Sequence, residues 1–333
     1  MSFLIFNAPG DLPWYTNVFD LALTTTFAVG VVSSARAYRR RRPDYAFVML
    51  AAFWYGLILE LSGMAWKDSY QQGRFAVMLN WGVFPLWAHA TYMPSYVLLF
   101  YPTFFFLGYR LLEGLAVTSL WKRAVTGGAI IGLLLDPAYI IQGNLDQSRW
   151  WTWKPWILYQ FWLGWPLADL WWQTTWGALF CYVVYRLRPR IDERFAGRRL
   201  VFFLGAPLAI GVGMNIFGPL LHVPFMIVTY AGWRQWPLVV VMVAAAAWIA
   251  LSAERRPVRR LDPVLLIGLA VYIAALAAMQ VGNVIDEDGL RFHTAVQSAA
   301  LIGLTAVALA PLLAGRAPTT APSGQERSVV GRG

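Results

Sequence analysis

Apolar runs of membrane-spanning length, several of them closed by a basic cluster, constrain this chain more than anything else in it. Tyr15 to Ala37 is such a run, and Arg39, Arg40, Arg41 and Arg42 follow at once. The pattern returns before Arg186, Arg188, Arg190, Arg194, Arg198 and Arg199. It returns again before Arg255, Arg256, Arg259 and Arg260. A helix needs about 20 apolar residues to cross a bilayer. Inside hydrocarbon every backbone N–H and C=O must be satisfied within the segment, which leaves helices or closed barrels. Runs this long predict helices. The expected fold is therefore an all-α polytopic transmembrane bundle. Only 13% of residues are charged and 59% are hydrophobic, whereas soluble domains carry about 25% charged residues.

Taken in order, the expected spans are 15–37, 45–66, 93–112, 124–143, a fifth from 158 or 166 to 185, 200–220, 236–251, 263–285 and 295–313. That makes about eight or nine crossings. The stretch 76–112 is too long for one span and is broken by Pro85, Pro94 and Pro102. Proline ends or kinks a helix, so a short re-entrant or interfacial piece is expected before the span at 93–112. Residues 1–314 read as one transmembrane domain. The stretch 315–333, rich in Pro, Thr, Ser and Gly, reads as a disordered cytoplasmic tail. With nine spans every basic cluster falls on one side, which places the N-terminus outside and the C-terminus in the cytoplasm, in a bacterial inner membrane. The net charge of +10 then reflects topology and not a nucleic-acid partner. One cysteine, Cys181, excludes an internal disulfide. The opening MSFLIFNAPGDLPW has neither the basic start nor the cleavage site of a signal peptide.

Three carboxylates inside the apolar runs are the candidates for chemistry: Glu60, Asp136 and Asp169. A charge at the centre of a bilayer costs about 2.5–3.5 kcal/mol on insertion scales. Chains keep such residues when they pair or react. Glu60, in FWYGLILELSGMAW, shares a helix face with Gly56, Gly63 and Met64. A carboxylate near a helix end that reaches interfacial water is the alternative for it. Asp136 precedes Pro137, which bends the helix and opens room beside the acid. Asp169 has Trp165, Trp172, Gln173 and Trp176 on its own face. Aromatic faces can stabilise a cation, and packing or interfacial anchoring is the ordinary use of membrane Trp. Asp20 could lie near the outer surface, and His222 and His293 read as loop residues. Three scattered His and one Cys give no metal-ligand spacing. Phosphate-binding glycine loops, nucleophile elbows and Asp-rich diphosphate motifs are missing too, so no cofactor is expected.

The segment 54–185 resembles the integral-membrane carotenoid end-group hydratases of the CruF type. Those proteins carry a Glu in an early span, a stretch rich in Tyr and Pro, an LDP signature, a Trp-x-Trp pair and a Gly-x-Pro-Leu-x-Asn-Phe-x-Gly-Trp block. Here the matching residues are ELSGMAW, then Tyr70, Pro85, Tyr92 and Tyr101, then LLLDP at Leu133 to Pro137, WTW at Trp151 to Trp153 and GWPLADLWWQ at Gly164 to Gln173. Asp169 stands at the Asn position, and Leu170, Trp171, Trp172 and Gln173 replace the block's end. A looser similarity links the chain to membrane spirocyclases of the AveC type.

The resemblance implies a cofactor-independent hydratase of a carotenoid or other long isoprenoid. Glu60 or Asp136 would protonate an alkene, and another acid, Asp169 included, would handle the water that captures the cation. Trp54, His89, Tyr92, Tyr139, Trp153, Tyr159, Trp165, Trp172 and Trp176 are expected around the substrate. If water is excluded, the same apparatus becomes a cyclase. A lipid or pigment carrier is the reading without chemistry. The expected partners are a lipophilic small molecule and membrane lipids; the sequence does not set the oligomeric state.

Overall fold

The computed structural model describes residues 2–64, 70–85, 92–196, 200–255 and 263–314. Among them the helices are α1 (Trp14–Arg39), α2 (Asp44–Ser62), α3 (Tyr96–Leu115), α4 (Leu120–Ala129), α5 (Asp136–Asn144), α6 (Leu167–Ala196), α7 (Leu200–Phe217), α8 (Val223–Tyr230), α9 (Trp236–Leu251), α10 (Pro263–Asp286) and α11 (Phe292–Ala314). A π-helical turn at Ile130–Leu135 joins α4 to α5, and a 3-10 turn at Gly218–His222 joins α7 to α8. The protein is an all-α helical bundle of membrane type.

Six of the described rods are long and apolar enough to cross a membrane: Trp14–Arg39, Asp44–Ser62, Leu120–Asn144, Val201–Tyr230, Pro263–Asp286 and Phe292–Pro311. That is fewer than the eight or nine expected from sequence, and the missing three have visible causes. Helix α9 has only 16 residues. Helix α3 is diluted by Tyr96, Tyr101, Pro102, Tyr109, Arg110 and Glu113. Helix α6 begins with Asp169 and Gln173 and ends in arginines.

Close helix contacts set the framework for the site. Helices α4 and α6 meet at Gly128, where a Cβ would fall 2.2 Å from the Thr174 carbonyl oxygen. Only glycine allows that approach. It brings the rod that carries Asp136 against the rod that carries Asp169. Helices α2 and α3 meet at Gly56, where a Cβ would fall 2.1 Å from the Tyr101 ring. Gly56 is one turn before Glu60, so the same gap that admits the ring sets its hydroxyl beside the acid. The π turn directly precedes Asp136 and Pro137. Proline offers no N–H to the carbonyl one turn back, and the wider turn absorbs that break.

Short strands cap one end of the bundle, and these were not anticipated. They are β1 (Leu4–Phe6), β2 (Tyr70–Gln72), β3 (Val77–Asn80), β4 (Tyr92–Pro94), β5 (Trp151–Trp153), β6 (Phe161–Trp162) and β7 (Trp165–Pro166). One antiparallel sheet has the order β1-β3-β4, and β2 pairs β5 in the register Tyr70↔Trp153 and Gln72↔Trp151. The short re-entrant or interfacial piece expected before the 93–112 span contains β3, a 3-10 turn at Trp81–Val83 and β4, with 86–91 outside the described residues. Strands β6 and β7 form a hairpin across Leu163 and Gly164, both with positive φ, the geometry that a two-residue turn requires. This settles the start of the fifth rod at Leu167.

The opposite end carries the basic residues and a network of ion pairs. Arg42 reaches Asp44 at 3.1 Å and Glu113 at 2.7 Å, and Arg110 reaches Glu113 at 2.5 Å. Arg188 reaches Asp44 at 3.3 Å and Glu113 at 3.2 Å. The Tyr45 hydroxyl donates to Glu113 at 2.6 Å, and the Arg110 guanidinium lies 4.1 Å from the Tyr45 ring centre. Arg123 donates to the Val117 carbonyl, and Val117 bridges to Arg255. Basic residues from separate parts of the chain, Arg42, Arg110, Arg123, Arg188 and Arg255, thus gather at one end.

Candidate functional site

At the strand-capped end the helices line a cavity of about 40 Å³. Glu60 and Asp169 both line it, with Tyr70, Gln72, Tyr96, Phe100, Tyr101, Tyr139, Trp151, Trp153, Trp172 and Gln173 among the other residues of the wall. No Lys or Arg is among the described residues of that lining. Carboxylates taken out of water are costly unless paired or hydrogen-bonded, so the partners of each acid decide its character.

Glu60 sits near the end of α2. Tyr101 on α3 donates to its Oε1 at 2.6 Å, and Tyr70 on β2 donates to its Oε2. Tyr70 is held in place by the β2–β5 ladder and by the Trp153 ring, 5.4 Å away. Tyr96 adds a second polar wall, donating to Gln72 at 3.2 Å and accepting from Tyr139 at 3.2 Å.

Asp169 lies in the first turn of α6, where the free N–H groups of a helix start favour a negative side chain. The Trp165 indole N–H donates to its Oδ2 at 2.6 Å, and Gln173 bonds it from the next turn. Asp136 is wholly buried, and neither of its oxygens has a hydrogen-bond partner among the described residues. It lies within electrostatic range of Asp169 and of Tyr272 but does not line the cavity. Other buried donors nearby are also unpartnered among the described residues: the Tyr55 hydroxyl and the indole N–H groups of Trp172 and Trp176. Each buried polar group without a partner calls for an explanation, and here they gather around the acids.

The structure thus gathers Glu60, Asp169, Tyr139, Trp153 and Trp172 on one cavity, with Trp165 bonded to Asp169 and Asp136 behind it. Trp176 stacks on Trp172 at 5.8 Å, one layer out. Tyr159 stands beyond Trp153, ring centres 5.4 Å apart. Trp54 and Tyr92 are elsewhere. Trp54 packs against Gly211 on α7, and Tyr92 is 46% exposed on β4. His89 lies outside the described residues, as does the stretch 315–333. Asp20 accepts from the Ala76 N–H at 3.4 Å, away from the cavity. His222 is not a loop residue but a buried one, 5.7 Å from the Trp176 ring and 6.2 Å from Phe225. His293 pairs with Glu287 at 3.1 Å.

Tyr70, Gln72, Tyr96, Phe100 and Tyr101 were not expected in the wall. Tyr70 and Gln72 come from a polar sequence, KDSYQQGRF at 67–75, and only the pairing of β2 with β5 turns them inward. A glycine one turn from Glu60 was the available sign that a ring would pack there. Among the described residues no group of three His, Cys, Asp or Glu side chains could hold a metal ion. Compared with known proteins, the chain matches no family model, no curated protein and no solved structure.

Proposed function

We propose that this protein is a membrane-embedded hydratase that adds water to an alkene of a carotenoid or another long isoprenoid, by carboxylic-acid protonation and carbocation capture. The observation that carries the reading is the pairing of two cation-free acids, Glu60 and Asp169, on one aromatic cavity. Glu60 gives its proton to one alkene carbon, and the π pair forms the new C–H bond. Tyr70 and Tyr101 then hold the carboxylate that remains, since hydrogen bonds to the charged form favour it. The adjacent carbon becomes a tertiary cation between aromatic walls. Water attacks that carbon, and Asp169, whose Oδ1 is not engaged by Trp165, takes the proton the water releases. Proton return from Asp169 to Glu60 closes the cycle. The net change is one water added to one double bond.

Gln72 and Gln173 in the wall favour hydration over cyclisation, because a cyclase site gains from excluding water while amides hold it. A carrier needs a route to both faces, and the far end of this bundle is closed by the Arg42, Asp44, Arg110, Glu113 and Arg188 network. The basic end is placed in the cytoplasm by the positive-inside rule, and reporter fusions at 42, 195 and 258 should agree on that side. To test the function, the gene is expressed in a bacterium that accumulates lycopene, and lipid extracts are analysed by mass. A gain of one water supports the proposal. An isomer of unchanged mass points to a cyclase, and unaltered lycopene contradicts both.

A further inference from the structure

A second hollow opens beside the acid-lined cavity. It is lined by Trp153, Pro155, Trp156, Ile157, Tyr159 and Phe161 and measures about 410 Å³. None of these side chains is charged. Trp153 belongs to both walls. From Glu60 outward the rings form a ladder. Tyr70, bonded to Glu60, lies 5.4 Å from Trp153, and Trp153 lies 5.4 Å from Tyr159. Tyr159 lies 5.1 Å from Trp156 and 5.9 Å from Phe161.

The loop is fastened, so the hollow is a shaped wall. The wholly buried Gln235 donates through Nε2 to the Leu158 carbonyl at 3.0 Å, and its backbone N–H donates to Gln160 at 2.9 Å. Trp153 donates to Asn144 at 2.6 Å. Even so, Trp156, Ile157 and Phe161 are 38%, 57% and 50% exposed. Interfacial Trp and Tyr anchor a protein at the headgroups, but anchoring asks for no concave set of rings leading to a buried acid.

We infer that this hollow is an outer subsite for the distal hydrocarbon body of a chain-like alkene whose reacting end lies between Glu60 and Asp169. The inference rests on the proposed function for the class of ligand. Continuity through Trp153 argues for it, and so does size. At about 40 Å³ the inner cavity takes only the reacting end of a chain, well below the roughly 300 Å³ at which drug-sized sites begin, and a long polyene does not fit inside it whole. The uncharged lining suits hydrocarbon and offers nothing to a charged headgroup. The subsite therefore selects for chain length, separately from the chemistry at the acids.

Lycopene binding to the purified full chain is followed by the circular dichroism induced in its visible band. Myrcene, a short acyclic triene that carries an alkene end without a long hydrocarbon body, is titrated as competitor. Replacing two stacking rings with Trp156→Ala and Phe161→Ala should weaken lycopene about tenfold or more, with a much smaller change in the myrcene concentration that displaces it. A second variant, Ile157→Cys, is labelled after purification with a bulky maleimide. Cys181 is wholly buried and does not compete, and the label should block lycopene in a protein already folded. Equal losses for both ligands, no loss for either, undiminished lycopene binding after labelling, or displacement of lycopene by phospholipid alone would overturn the inference. Length-selective binding without any water adduct would leave the subsite standing and refute the hydratase.

Discussion

Two clusters of carboxylates sit at opposite ends of the bundle, and they are built on opposite plans. At the basic end Asp44 and Glu113 are surrounded by Arg42, Arg110 and Arg188. At the strand-capped end Glu60 and Asp169 meet phenol, indole and amide donors, and Asp136 meets none. The residue types are the same, and the helices carrying them adjoin: Asp44 and Glu60 share α2. What differs is the presence of a cation. A carboxylate among guanidinium groups has its charge matched, which suits a clamp between helices. An acid with only neutral donors remains available to give up or take a proton. The comparison predicts that removing a carboxyl costs stability at one end and turnover at the other.

Glu60→Gln should give the largest effect. The amide keeps its shape but has no proton to give, and tyrosine hydroxyls can accept as well as donate. General acid catalysis is worth about 10²–10⁴-fold, so turnover of lycopene should fall by that much while thermal stability in detergent changes little. Comparable turnover would remove Glu60 as the donor. Asp44→Asn should show the reverse. Taking the buried Asp44 from a cluster whose arginines are partly exposed leaves less of the guanidinium charge matched, at a cost of about 1–3 kcal/mol. The loss should appear as a lower unfolding midpoint, with turnover per folded molecule retained; a midpoint equal to that of the unaltered chain would mean that the cluster is not a clamp.

Gly128→Ala falls between the two. It drives a methyl into the α6 backbone, and overpacking of this kind costs about 1–3 kcal/mol. Both stability and turnover should drop, because the contact also sets Asp136 against Asp169. Loss of stability alone would show that the two acids need no fixed relation. Asp169→Asn should be the mildest change, about tenfold in turnover, a step of about 1.4 kcal/mol. Its carbonyl can still accept from Trp165, and a second water can carry off the proton that Asp169 no longer takes. A loss as large as that of Glu60→Gln would exchange the two roles.

Much of this was legible in the sequence, for physical reasons. A carboxylate inside an apolar run is conspicuous because hydrocarbon penalises it, so Glu60, Asp136 and Asp169 stood out at once. The basic clusters followed the same logic. Tyr70 and Tyr101 stood out only as part of a motif and Gln72 not at all, because a tyrosine in an aromatic-rich chain or a glutamine in a polar stretch is unremarkable. The roles of Tyr70 and Gln72 depend on β2 finding β5 far along the chain, and no local pattern encodes that pairing. Trp153 was read as a site residue, but the same residues read equally well as an interfacial belt. Trp54 and Tyr92 were misplaced for the opposite reason: aromatic residues near a motif need not face it, and the face of α2 that carries Trp54 is taken by α7.

The most direct test of the central claim uses purified protein, lycopene and water enriched in heavy oxygen. The unaltered chain should yield an alcohol that carries the heavy isotope, Asp44→Asn should yield it at a similar rate per folded molecule, and Glu60→Gln should yield almost none. Product without the heavy isotope, or equal incorporation by Glu60→Gln, would contradict the assignment of chemistry to the cation-free end.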